Sequence, residues 1–397
     1  MSRIVFCWEL GYGLGHVIPY VPLWHRLQKE KGHELFLVMR DLTMVDFLKE
    51  KGIEFTAIKA PDRPPYQGNF SSGKVFSYTN IIQNVMAQNY EICLESVEKW
   101  RRIFDVVQPQ LLIAESSPTA LLSAKTLNFV PKIIVGGTGF SIPPDVDPLP
   151  NIKYWNGNSP SLKILDESVI HIINKILTHF RKPTFKQISD LYNADFKILK
   201  TIPELDPFPT RHNVFYYGSW PSDFGEEVEI QSHPSIFLYM RTSSYIEILL
   251  KILSTGMFSS VVYVEGLADA MKTKYNHPSI TYLNKPANLS KMMRKIDLAI
   301  THGSLNTTVN FLLNETPVLI IPEHLEQLLT GKLVERMKCG TFLSIFYSQT
   351  KRTILSALNS DVFQKNVDRL SKKYSEFTEK GATDYVINKV EEIMAHD

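Results

Sequence analysis

Short, unbroken apolar runs alternate along this chain with segments whose apolar positions recur at helical spacing. Ile4 to Trp8, Leu35 to Met39, Phe55 to Ile58, Leu111 to Ala114 and Lys132 to Val135 are of the first kind. They do not alternate apolar with polar, which is the pattern of parallel strands buried on both faces. Ile18 to Lys31, Leu42 to Lys51, Ile81 to Phe104 and Pro118 to Leu127 are of the second kind, and Gly32 and Gly52 stand where left-handed caps would close two of these helices. Leu165 to Phe180 and Phe185 to Tyr192 also read as helical. After a strand at Phe215 to Tyr217, a cluster of Gly, Ser, Trp, Pro and acidic residues from Gly218 to Glu229 marks a boundary. The pattern then restarts, with strands at Ile236 to Met240, Ser260 to Val264, Ile280 to Leu283, Leu298 to Ile300 and Val318 to Ile321. Helices are expected at Ile246 to Leu253, Leu289 to Lys295, from Leu305 onward, and at Thr330 to Lys338 with Cys339-Gly340 as its stop. Amphipathic helices fill the tail from Thr353. Strand and helix in regular alternation predict an α/β protein of two Rossmann-like, doubly wound domains, residues 1–218 and 219–397.

The stretch from Leu298 to Gln327 carries the densest chemistry. A strand breaks into the turn Thr301, His302, Gly303, Ser304, and a helix starts at once. The first amides of a helix are unpaired donors at the positive end of its dipole, so this turn has the make-up of an anion site suited to a diphosphate. Gly303 permits close approach, while Ser304, Asn306, Thr307 and Thr308 add side-chain donors and His302 offers one more. Glu326 and Gln327, after the next strand, are suited to sugar hydroxyls. The same residues also fit a plain N-capped helix. Near the N-terminus, Gly11, Tyr12, Gly13, Leu14, Gly15 and His16 form a second strand-to-helix turn. It is a poor dinucleotide fingerprint even with Asp41 following the second strand, because His16 stands where the third glycine belongs.

The run HGSLNTTVNFLLNETPVLIIPEHLEQ resembles the nucleotide-sugar signature of the family 1 glycosyltransferases. Ser304 replaces the second glycine of that signature, Asn310 its glutamate and Glu326 its closing aspartate. Gly15-His16 with Pro19 is similar to the family's GHxxP element. The resemblance implies the GT-B architecture, in which the two domains face a cleft and the last helix, Asp384 to Ala395, crosses back to the first. It implies an enzyme, a hexosyltransferase-type glycosyltransferase that moves sugar from UDP or dTDP to an acceptor hydroxyl with inversion. His16 would be the general base, with Glu115 at the position of the aspartate that orients it. Gly13, Gly15 and Gly137 would lie on the acceptor side of the N-terminal domain. The C-terminal domain would bind the donor. Thr242 and Ser243 match a turn near the phosphates, Lys285-Pro286 a segment that reads the base, and Asn310 the residue that holds the ribose. Two other classes share the pattern: a nucleotide-sugar-binding module without catalysis, and an isomerase similar to UDP-N-acetylglucosamine 2-epimerase.

Composition narrows the partners. With 397 residues and 44% hydrophobic content the chain can bury two cores, and a formal charge of +2 gives no nucleic-acid footprint. Cys7, Cys93 and Cys339 are scattered without metal-site spacing, which suits a reducing, cytoplasmic setting. No leader or membrane-spanning run is expected. The expected acceptor is a small molecule, lipid or glycan; Arg181, Lys182 and Lys186 leave a peripheral membrane contact open. No cofactor is expected beyond the nucleotide sugar, and no metal. Asp145-Val146-Asp147 spells the cation motif of another transferase architecture but stands among prolines, and His171 and His179 lack a third ligand. The Pro-, Gly-, Ser- and Tyr-rich stretch from Pro61 to Thr79 is expected to be a loop over the cleft.

Overall fold

The computed structural model describes residues 1–65, 77–157, 160–208, 211, 213–221, 225–230, 232–343 and 349–395. Most of the loop expected across 61–79 lies outside the described residues. The chain forms two compact units: Met1–Lys200 with Asp206–Tyr217 and Lys380–Asp397, and Thr201–Leu205 with Gly218–Glu379.

The first unit is built on a seven-stranded parallel sheet. Its strands are β1 (Arg3–Trp8), β2 (Glu34–Met39), β3 (Thr56–Lys59), β4 (Leu111–Glu115), β5 (Lys132–Gly137), β6 (Phe196–Leu199) and β7 (Phe215–Tyr216), in the order β3-β2-β1-β4-β5-β6-β7. From β1 the chain winds outward to β2 and β3, then returns to the other side of β1 to begin β4. The switch point between β1 and β4 leaves a crevice beyond their carboxyl ends, where sheets of this kind bind ligands. Register pairs Trp8 with both Met39 and Glu115. β1 is buried from Ile4 to Trp8, and aromatic residues pack it: Phe6 lies 5.0 Å from Tyr20 and 4.9 Å from Trp24, ring to ring.

The second unit has a six-stranded parallel sheet of β8 (Ser235–Arg241), β9 (Ser259–Glu265), β10 (Ile280–Tyr282), β11 (Leu298–Thr301), β12 (Val318–Ile320) and β13 (Gly340–Phe342), in the order β10-β9-β8-β11-β12-β13. Its switch point lies between β8 and β11. Phe237, Ala299, Val318 and Ile320 pack into the core on one face, while Ile236, Leu238, Ile300 and Leu319 pack into that on the other. Both faces are covered, which is why these strands read as unbroken apolar runs.

Some local expectations need correction. The single helix expected from 81 to 104 is two, Tyr78–Val85 and Tyr90–Val107, because Asn89 caps the second by accepting the Ile92 N–H at 2.9 Å. The helix expected over 185–192 is only the 3-10 turn Ile188–Tyr192. The helix expected from Thr330 begins five residues earlier, as Leu325–Met337, and its left-handed cap is Lys338 at φ 54°. Gly340 instead opens the unforeseen β13, where a Cβ would lie 2.0 Å from the Val318 carbonyl oxygen. β6 was likewise unforeseen, since Lys197 interrupts its short apolar run and Lys200 follows it at once.

The last helix, Glu379–Ala395, packs within the first unit, with Val386, Ile387 and Val390 fully buried. Asp384 pairs with Arg26, Glu391 with His33 at 3.0 Å, and the Thr383 and Tyr217 hydroxyls share a hydrogen bond of 2.8 Å. No helix among the described residues is long and apolar enough to cross a membrane.

Candidate active site

In the first unit, the turn after β1 reverses direction through Gly11 and Gly13, both at φ 86°, and returns His16 over the end of its own strand. There its ring stacks on Trp8, 5.4 Å between centroids and 18° between planes. His16 Nδ1 lies 2.9 Å from Oε1 of Glu115, the last residue of β4. The His16 side chain is 21% exposed and that of Glu115 is wholly buried. Three further donors reach the carboxylate: the Tyr20 hydroxyl to Oε2 at 2.7 Å, Lys200 Nζ to Oε1 at 2.9 Å and the Ser116 hydroxyl to Oε1 at 3.2 Å. Gly136, beside Glu115 in register, makes room for the Tyr20 hydroxyl, which a Cβ would meet at 1.9 Å. Burial by itself would raise the Glu115 pKa; the Lys200 charge and the bonds from His16 and Tyr20 outweigh it and bring it down to about 2. The carboxylate is therefore ionised and accepts from Nδ1–H, which leaves the lone pair of His16 on Nε2. Gly11 keeps that atom clear: a Cβ at Gly11 would lie 2.1 Å from it.

Of the expected acceptor-side glycines, Gly13 provides the left-handed bend and Gly15 accepts from Lys200 Nζ at 2.9 Å. Gly137 is accounted for by its own turn, where a Cβ would strike the Ser141 hydroxyl at 2.2 Å. Lys200 and Tyr20 were not among the expected site residues. Tyr20 carried a usable signal, one helical turn beyond His16. Lys200 carried none, because its strand could not be read from the sequence.

In the second unit, β11 ends in Thr301, and Gly303 at φ 89° turns the chain into the helix Leu305–Leu313. The glycine packs on β12, where a Cβ would meet Ile320 Cγ2 at 2.6 Å. Ser304 occupies the N-cap position but makes no side-chain bond to the helix amides; its hydroxyl donates instead to that of Thr307 at 2.9 Å. Plain side-chain capping therefore does not explain this turn. Asn306 follows on the helix's first turn. Burial, reinforced by the Arg241 and His324 charges against that of Glu265, lowers the His302 pKa to about 4. At neutral pH this imidazole is an uncharged donor. Its Nδ1, and Oδ1 of the 5% exposed Asn310, have no hydrogen-bond partner among the described residues.

The remaining expected donor residues are partly engaged already. Thr242 donates its hydroxyl to the Glu265 carbonyl at 2.9 Å, and Ser243 accepts the Tyr245 N–H at 3.3 Å. The Pro286 carbonyl accepts the Glu226 N–H at 2.8 Å, and the Lys285 N–H points to the Glu226 carboxylate at 3.4 Å. Glu326 and Gln327 lie in the first turn of the helix after β12, with Gln327 Oε1 accepting the Glu323 N–H at 2.7 Å. Arg241, at the end of β8, pairs with Glu265 at 2.9 Å. The two acids of the Asp-Val-Asp motif are ion-paired, Asp145 with Lys197 and Asp147 with Lys163. Among the described residues no group of three or more His, Cys, Asp or Glu side chains is placed to hold a metal ion.

No protein-family model matches the sequence, and no curated protein does either. Solved structures do match. CalG4, the calicheamicin glycosyltransferase, aligns over 98% of both chains with a TM-score of 0.70 at 14% identity. The glycosyltransferase VinC in complex with dTDP aligns over 100% of both with a TM-score of 0.66 at 13% identity. The spinosyn rhamnosyltransferase SpnG complexed with spinosyn aglycone covers 98% of this chain and 99% of its own, with a TM-score of 0.64 at 14% identity. The chain has the two-domain α/β architecture of these enzymes, the GT-B fold.

Proposed function

We propose that this protein is an inverting glycosyltransferase, which moves a sugar from a UDP- or dTDP-sugar to an acceptor hydroxyl. The observation that carries the reading is the His16–Glu115 pair at the switch point of the first sheet, with Nε2 kept open by Gly11. Nε2 takes the proton of the acceptor hydroxyl as its oxygen attacks the anomeric carbon, and the bond to the nucleoside diphosphate breaks on the opposite face. Glu115 stabilises the imidazolium that forms. The C-terminal unit binds the donor. Its diphosphate lies at the N-terminus of the helix Leu305–Leu313, where amides, Ser304, Asn306, Thr307 and the neutral His302 serve as donors and no cation is required. Thr242, Ser243, Lys285 and Pro286 line the nucleotide, Glu326 and Gln327 the sugar. Asn310 Oδ1, buried and without a partner among the described residues, accepts a ribose hydroxyl.

The family resemblance and the fold shared with VinC, which is in complex with dTDP, support this donor class. The buried free thiols of Cys7, Cys93 and Cys339 suit a cytoplasmic enzyme. The acceptor is a small molecule, lipid or glycan bound by the N-terminal unit.

Calorimetric titration with UDP, dTDP and GDP, with and without a chelator, tests the donor site. Binding of UDP or dTDP should survive chelation and weaken about tenfold in His302→Ala, in line with one lost buried hydrogen bond. Failure of all three to bind would remove the transferase reading. Release of free sugar from the donor, lost in His16→Ala, marks a catalyst; binding alone marks a carrier module, and epimeric products mark an isomerase.

A further inference from the structure

Lys200, just beyond β6, is 1% exposed, and its Nζ donates to Glu115 Oε1 and to the Gly15 carbonyl, each at 2.9 Å. It also lies 5.1 Å from the Tyr20 ring centre. A buried ammonium is tolerated only where it is paired, and here its partner is the carboxylate oxygen that already faces His16. Two effects follow. Lys200 ties down the backbone of the residue before His16. It also sets a positive charge against the imidazolium across a shared oxygen, offsetting the pull that Glu115 exerts on a proton at His16.

We propose that Lys200 is a positioning residue of the His16–Glu115 pair, holding Gly15 and Glu115 in register with His16 and setting a buried positive charge against protonation of its imidazole. This rests on the reading of His16 as the base. The groups that bear on the carboxylate are His16 from the turn after β1, Tyr20 from the turn that follows, Ser116 beside it and Lys200 from the end of β6; Tyr217 lies further out, beyond Tyr20. Trp8 covers the other side of the His16 ring without charge.

The experiment is an NMR titration of the full chain with labelled histidine, His16 being assigned by its loss in His16→Gln. In Lys200→Met the His16 midpoint should rise by about one pH unit or more, and in Lys200→Arg it should stay near the wild-type value. A folded Lys200→Met with an unmoved or lowered midpoint overturns the proposal. Should that variant not fold, Glu115→Gln is compared with Glu115→Gln/Lys200→Met, which removes both buried charges. A higher midpoint in the double variant supports the proposal, and equal midpoints overturn it. These midpoints require neither acceptor nor turnover. If they behave as expected while His16→Gln retains full sugar transfer, it is the assignment of the base that falls.

Discussion

Gly11 has no side chain because its neighbour requires the volume. Adding one methyl would place carbon 2.1 Å from His16 Nε2, on a backbone at φ 86° that L side chains rarely adopt. Gly11→Ala should therefore lower sugar transfer by about 100-fold or more, the contribution of a positioned general base, with UDP or dTDP affinity unchanged by calorimetry. Glu9 makes a different prediction. It is 3% exposed, accepts the Thr119 N–H at 2.9 Å, and burial raises its pKa to about 7 against the Thr119 bonds. The folded carboxyl thus keeps its proton to about pH 7, whereas the unfolded one ionises near the ordinary glutamate value of 4.5. Its contribution to stability is complete below that lower value and is lost as pH rises through the folded pKa. Relative to wild type, Glu9→Gln should gain roughly 2 kcal/mol between pH 5 and pH 8 in urea denaturation. A difference that does not vary with pH would show that Glu9 is ionised throughout.

At the scale of elements, each candidate site is a strand end, a glycine turn and a helix start beside a switch point. In the second unit Gly303 lets the turn press on β12, so the helix Leu305–Leu313 begins close against the sheet. Gly303→Ala would force a methyl onto Ile320 at 2.6 Å with φ at 89°, strain of about 1–3 kcal/mol in stability. We expect UDP or dTDP binding to weaken at least tenfold while the His16 titration is unchanged; unaltered binding would separate this turn from the donor site. The helix Ile246–Leu253 was legible residue for residue, because an amphipathic stripe between two buried strands leaves little choice. Asn89 was harder to see. Apolar spacing continues on both sides of it, and only the cap shows that the second helix begins there.

At the scale of the molecule, the C-terminal helix from Lys380 onward belongs to the first unit although the 162 residues before it, Gly218–Glu379, belong to the second. Its apolar face completes the first core. Ile387→Ala, at a side chain 1% exposed, should destabilise by about 2–5 kcal/mol. Hydrogen exchange should accelerate in β1 and β2 and hold steady in β8 and β11; equal acceleration in both sheets would mean that the helix supports the two units alike. The two-unit α/β plan was legible in the hydrophobic pattern, since parallel strands covered on both faces leave unbroken apolar runs whatever their neighbours. The order of the strands was not, because a run carries no mark of the partner it will pair with. Nor was β6, where Lys197 within the strand and Lys200 just after it carry the signal of a solvated loop; burial became affordable only through Asp145 and Glu115, 52 and 85 residues away. By itself the sequence determined the local pieces: strand ends, glycine turns, helix starts and the chemistry each carries, all set by neighbours along the chain. Which charges face one another was decided by the tertiary structure alone. The His16, Glu115 and Lys200 contacts span three strands, and long-range pairing of buried charge depends on packing that no local pattern encodes.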